Sequence, residues 1–207
     1  MVSGYRGIEW DAVEVPSLFM ENWFYDKHTF QQIARHRETG KIAPDAIFEK
    51  MLSARTFFAA YRMQRRVHYA RMDLELHSTF SAGEGTETVF EREKVVAEKT
   101  LVMPQMPDDR YLCSFTHVFE GSYDAGYYSY VWAEVLSSDA FSAFEEIFRD
   151  ESLNEEEKER RVRETGRRFR DTVLARGGGD HPSHVFRAFR GRDPVMEPLL
   201  RKSGCVT

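Results

Sequence analysis

Apolar positions recur at helical spacing along most of the chain, and the stretches between them carry turn residues. In "WDAVEVPSLFMENW", residues 10–23, Trp10, Val13, Met20 and Trp23 mark an apolar side, and Pro16-Ser17 suits a first turn. The pattern predicts a helix over 15–25 and a second over 27–38, "KHTFQQIARHRE", ended by Gly40. Pro44-Asp45 opens a third, carried to about Leu76 on the apolar face of Phe48, Met51, Leu52, Phe57, Phe58 and Tyr61. At 1.5 Å per residue that helix would be roughly 45–50 Å long.

Residues 78–87 read as a loop and 86–98 as a further helix. Residues 101–115 are extended and punctuated by proline, with room for a short strand, and 117–126 form a glycine-bearing turn. A strongly apolar helix follows at about 125–149, and a charged amphipathic one at 154–179 that stops at three glycines. The latter carries i,i+4 Glu–Arg pairs of the favourable orientation, Glu159–Arg163 among them. A short helix near 181–189, a Gly-Arg-Asp-Pro turn and a last short helix complete the chain. The predicted fold is mainly α, with little or no strand.

Composition narrows the class. The chain has 207 residues, 42% of them hydrophobic and 30% charged, and its 16 Phe, 9 Tyr and 3 Trp argue for a packed core. A net charge of −5 gives no reason to expect a nucleic-acid or anionic-membrane partner. No apolar run approaches the length of a membrane span. Cys113 and Cys205 are too few and too distant for a disulfide framework or a cysteine-rich zinc site, and reduced thiols point to an intracellular compartment. The opening "MVSGYRGIEWD" has neither an apolar leader segment nor an Arg/Ser-rich amphipathic one, and it lacks the look of a natural beginning; with a targeting leader expected further upstream, cytosol and organelle (mitochondrion or plastid) both remain open.

Two segments stand out chemically. Asp11, Glu14 and Glu21 sit among large apolar residues, where a carboxylate must be paired, protonated or bound to a cation. Glu14 reads either as an acid favoured by a helix N-terminus or as one ligand of a metal. None of the seven histidines stands in H-E-x-x-H, the usual source of two zinc-binding imidazoles on one helix face. In "FTHVFEGSYDAGYYSYVWAEV", residues 115–135, Tyr123, Tyr127 and Tyr130 are spaced i, i+4, i+7, which would align them on one side of a helix. An aromatic stripe is usually core, but three phenols need hydrogen-bond partners when buried. Such a set can also line a cleft and donate to a substrate carbonyl.

These residues resemble a known family. "WDAVEVPSLFMENW" is similar to the segment carrying the third zinc ligand in the thimet oligopeptidase/oligopeptidase A family of zinc metallopeptidases, family M3. "FTHVFEGSYDAGYYSYVWAEVLSSDAFSAFE" resembles its glycine-rich loop and tyrosine helix, "FRAFRGRDPVMEPLLRKSG" its C-terminal ending, and "MDLELHS" a further family segment. The resemblance runs over essentially all 207 residues in family order. It implies a helical zincin-like body with an active site on the floor of a deep channel. On that basis residues 1–207 form the C-terminal part of a single catalytic domain.

The family's H-E-F-G-H lies upstream of the glutamate ligand, whereas only residues 1–13 precede Glu14 here. What the resemblance implies is therefore partial. Glu14 corresponds to a zinc ligand and His117 to the loop histidine that helps hold substrate. Tyr123 and Tyr127 correspond to substrate-binding tyrosines, and Tyr130 to the tyrosine that hydrogen-bonds the oxyanion. Gly121 and Gly126 correspond to loop glycines. The loop reads Glu120-Gly121-Ser122 where relatives often have small residues and adjacent glycines.

The implied activity is hydrolysis of short peptides by zinc-activated water, with the general base among the residues this chain lacks. The implied partners are short peptides and the N-terminal part of the same peptidase. Taken alone, the chain is expected to hold Zn2+ weakly and to have little or no activity. The competing expectations are a non-catalytic helical peptide-binding module and an enzyme completed in trans by a second chain.

Overall fold

Local signals set most helix boundaries in the computed structural model, which describes residues 7–83 and 85–206. The opening "MVSGYR", read above for a leader, lies outside them. The helices are α1 Val15–Glu21, α2 Lys27–Ile33, α3 Asp45–Thr56, α4 Ala59–Leu76, α5 Val89–Thr100, α6 Ser129–Arg149, α7 Glu155–Phe169, α8 Pro182–Arg190 and α9 Glu197–Lys202. Asp26 caps α2 by accepting the Thr29 N–H, and Asn154 caps α7 at Glu157. Thr88 and Glu91 form a reciprocal capping box on α5. Pro182 starts α8, and Gly191 ends it at φ 75°, a conformation glycine adopts without strain. Among the described residues the β structure is a single bridge between Arg35 and Ile42. The fold is mainly α, as the periodicity predicts.

Three boundaries differ from the sequence reading. The helix expected over 27–38 stops at Ile33, because residues 34–43 fold back on themselves. There the Ala43 N–H bonds the Ala34 carbonyl, the His36 N–H bonds the Lys41 carbonyl, and Gly40 turns at φ 65°. The long helix expected from Pro44 to Leu76 is two. Phe57 is extended and Phe58 takes φ 53°, with no glycine or proline to signal the break. The break falls where one compact unit passes to the other: α3 buries Phe48, which packs by Phe30, whereas Tyr69 and Met72 of α4 belong to the core of the second unit. The charged helix expected over 154–179 ends its α-helical part at Phe169 and continues as a π turn and a short 3-10 turn. Gly178 is needed there, since an added Cβ would fall 1.4 Å from the Gly7 carbonyl oxygen.

The chain forms two compact units. One comprises the segment up to Phe57 and everything from Trp132 onward. Its core is aromatic. Phe19 of α1 stacks on Phe169 of α7 with centroids 3.8 Å apart, and Trp23 meets Phe141 and Phe144 edge-on. The α6 residues Ala133, Leu136, Ala140 and Phe144 and the α8 residues Phe186 and Phe189 complete it. The surface of α7 is laced by ion pairs, including Arg163–Glu159 at 3.4 Å. Arg160 and Arg161 both bond Glu157 and hold its carboxyl down at about 2.

The second unit, Phe58–Val131, is built on α4 and α5. Tyr69, Met72, Val96, Leu112, Phe115 and Val118 form its core, with Tyr127 packed against them. His68, buried in α4, meets Thr100 Oγ1 through Nδ1 at 2.8 Å. No described helix is long and apolar enough to cross a membrane.

Candidate functional site

The segment from Phe115 to Tyr130 begins with tight turns. The Thr116 carbonyl accepts three successive N–H groups, from Phe119, Glu120 and Gly121 at 3.2, 2.7 and 2.8 Å. This winding brings Gly121 over His117. A Cβ at position 121 would lie 2.9 Å from the His117 Cα, so the turn requires glycine through close backbone approach. The chain then returns, the Tyr123 N–H bonding the His117 carbonyl at 3.0 Å and the Gly126 N–H bonding the Tyr123 carbonyl at 2.9 Å. Ser122 and Ala125 hold φ of 63° and 54°, left-handed values that cost a side-chain-bearing residue about 1–2 kcal/mol each.

These turns gather four rings. Tyr123 stacks on Tyr130 at 4.8 Å, and Tyr127 lies 5.3 Å from Tyr130. His117 is exposed and sits 5.8, 5.8 and 6.0 Å from the rings of Tyr123, Tyr127 and Tyr130. The three tyrosines are each half-buried, and Gly126 is buried among them in sequence. The helix expected to start at about 125 begins only at Ser129, so a helix does not align the tyrosines. Tyr123 and Tyr127 stand on the turns that precede it.

Burial pushes the Tyr127 phenol above its ordinary value of 10.0, and the neighbouring Tyr111 and Tyr130 phenols add to the shift. Tyr127 therefore stays a hydrogen-bond donor throughout the neutral range. The raised folded-state value favours the neutral phenol. Its contribution to stability is complete below about pH 10 and is lost as the pH rises through the folded value. In a spectroscopic tyrosine titration of the folded chain, Tyr127→Phe is expected to delete a late-titrating phenol. Loss of an ordinary one would count against this burial.

Sequence reasoning missed Asp73. It lies fully buried on α4, and its carboxylate accepts the N–H groups of Ala125 and Tyr127, both at 2.9 Å. The available signal was an acid and a histidine at i, i+4, Asp73 and His77, inside the apolar "MDLELHS".

Glu14 belongs to the other unit. It occupies the position before α1, is half-buried, and accepts the Ser17 hydroxyl on Oε2 at 2.8 Å. Among the described residues, no three His, Cys, Asp or Glu side chains are grouped to hold a metal ion. A catalytic zinc takes three protein ligands, and Glu14 by itself offers a single carboxylate. A zinc at Glu14 would need its remaining ligands from residues outside those described.

The chain belongs to peptidase family M3, whose sequence profile matches residues 1–205. Two Arabidopsis thaliana proteins, probable cytosolic oligopeptidase A and an organellar (chloroplastic/mitochondrial) oligopeptidase A, are each 52% identical to it over 206 residues. They align with 100% of this chain, which covers 28% and 25% of their respective lengths. Oligopeptidase A of Escherichia coli is 41% identical over 208 residues, with 98% of this chain and 28% of that protein aligned. The chain thus spans little more than a quarter of the relatives it matches.

Proposed function

We propose that this chain is the C-terminal part of one M3 catalytic domain and supplies the substrate-holding half of a zinc endopeptidase acting on short peptides. The observation that carries the reading is the convergence of His117, Tyr123, Tyr127 and Tyr130 in one half-open cluster. Half-buried phenols are donors with an apolar body, suited to the carbonyls and side chains of an extended peptide. In this reading Tyr123 and Tyr127 bind the peptide backbone, and Gly121 and Gly126 keep the loop close to it. Tyr130 and His117 donate to the oxyanion that develops on the scissile carbonyl. Glu14 contributes one carboxylate to a zinc whose remaining ligands, like the general base, come from the upstream part. The two Arabidopsis relatives are described as cytosolic and organellar, which supports an intracellular setting.

The test joins the upstream three-quarters of the cytosolic Arabidopsis relative to this chain. The chimera is expected to cleave short peptides and to stop when zinc is chelated, while the 207-residue chain alone shows little or no cleavage. Chelator-sensitive cleavage by the chain alone, abolished by Glu14→Ala, would sink the division of labour. A folded chimera that binds zinc but cleaves nothing would sink the reading as a whole. Adding the upstream part as a separate chain tests completion in trans in the same assay.

A second reading has its own support. The four-ring cluster lies entirely within the Phe58–Val131 unit, which does not contain Glu14. Peptide binding by that cluster therefore needs no metal, as a non-catalytic binding module would require. Equal peptide affinity with and without chelator, together with an inactive chimera, would favour this reading.

A further inference from the structure

We infer that Asp73, held by His77, is the positioning residue that fixes the loop carrying His117, Tyr123 and Tyr127. The functional part of this inference rests on the proposal that the loop binds peptide. Asp73 is fully buried, so each of its oxygens needs donors. It receives two backbone hydrogen bonds and one charge contact. Oδ1 accepts the Ala125 N–H at 2.9 Å and Oδ2 the Tyr127 N–H at 2.9 Å, while His77 Nδ1 lies 2.9 Å from Oδ1. His77 Nδ1 also lies 2.8 Å from the Asp73 carbonyl oxygen. Both of its neighbours are acceptors, so Nδ1 carries the proton and the imidazole is locked to α4.

The two amides that Asp73 captures bracket Gly126, the residue whose own N–H closes the turn onto Tyr123. One carboxylate thus grips the segment on both sides of the turn that sets Tyr123 on Tyr130 and Tyr127 beside them. The grip also accounts for the backbone. Ala125 is held at φ 54°, and such a conformation persists only where surrounding contacts over-determine it. Among the described residues, Asp73 supplies side-chain acceptors to this turn from more than fifty residues away in sequence. A carboxylate rather than an amide is needed, because every partner is a donor: an asparagine would present an NH2 group to one of them.

Amide hydrogen exchange on the full chain tests the anchor without reference to any peptide. Asp73→Asn is expected to speed exchange at Ala125 and Tyr127 at least ~10-fold while the α5 amides keep their protection. Equal acceleration across α5 would mean that Asp73 supports the whole unit and not the loop, and would overturn the inference, as would unchanged exchange at the two loop amides. If Asp73→Asn does not fold, His77→Ala carries the test. It leaves both amide bonds in place but frees the carboxylate to swing, so protection at Ala125 and Tyr127 falls by a smaller factor, and unchanged protection there overturns the inference.

The functional arm uses an unstructured alanine-rich hexapeptide containing one phenylalanine. Its binding, followed through the tyrosine ring resonances, is expected to weaken in Asp73→Asn by about the same factor as in Tyr127→Phe. Selective loop exchange in a protein whose wild type does not bind the hexapeptide would leave the anchor standing and remove the peptide reading. Tight binding by Asp73→Asn despite a freed loop would remove the positioning role.

Discussion

Replacing Asp139 with alanine is expected to cost the larger unit about 3–5 kcal/mol of stability, the usual penalty for breaking a buried, hydrogen-bonded charge cluster. Asp139 lies on α6 with no exposure. Arg192 grips it bidentately, Nη1 to Oδ2 and Nη2 to Oδ1, both at 2.6 Å, and the Val195 N–H bonds Oδ2 at 2.8 Å. Arg190 is itself 8% exposed and brings Nε to 3.4 Å from Oδ1, a charge contact without hydrogen-bond geometry. Its Nη2 bonds Glu146 and Ser142.

Removing the carboxylate takes the acceptor from the Arg192 guanidinium and the Val195 N–H and a counter-charge from the nearly buried Arg190, while α9 loses the link that ties its approach to α6. The Asp139–Arg192 bond holds the Arg192 guanidinium further from neutrality than usual, in keeping with a tight pair. Arg192→Ala should also destabilise, because it leaves the fully buried Asp139 carboxylate with the Val195 N–H but without its bidentate cation. The measurement is the denaturant midpoint at unchanged slope. A shift worth less than ~1 kcal/mol for Asp139→Ala would show that the cluster is dispensable.

Asp139 and Asp73 share a property that explains what could be read in advance. Helices signalled by neighbours in sequence were legible: Thr88 with Glu91, Asn154 with Glu157, and Pro182 with Gly191 are local devices acting over a few residues. The two buried carboxylates act across 52 to 56 residues, and nothing within their own helices says which distant amide or guanidinium will arrive. The break at Phe57–Phe58 was illegible for the same reason. Each half of the apolar face continues the helical pattern, and the break falls at the boundary between the two compact units, which no local residue marks.

The three tyrosine rings lie together, but not through the device their spacing suggests. The i, i+4, i+7 spacing assigns the three rings to one helix face. In the structure turns gather them, held by a glycine that cannot accept a Cβ and by an aspartate on another helix. The family resemblance pointed to the same residues, and the geometry gives a physical reason why a loop rather than a helix carries two of them.

Tyr130→Phe in the chimera is expected to lower kcat about 10²–10³-fold with KM nearly unchanged, the usual consequence of removing one oxyanion donor. The argument concerns where charge appears. A phenol that bonds a carbonyl equally in ground and transition states would change KM alone, whereas one aimed at a developing oxyanion changes kcat. The proposed function gives Tyr130 the second role; it sits at the first turn of α6, and its ring packs against those of Tyr123 and Tyr127. Removing the hydroxyl keeps both ring contacts, so the peptide still finds its aromatic platform. Tyr127→Phe is expected to behave in the opposite way, raising KM more than it lowers kcat. Glu14→Ala should differ from both by reducing the zinc bound per chain, which elemental analysis reads directly. A Tyr130→Phe chimera that keeps full kcat and loses only affinity would move Tyr130 out of the catalytic pair and into the peptide-binding surface.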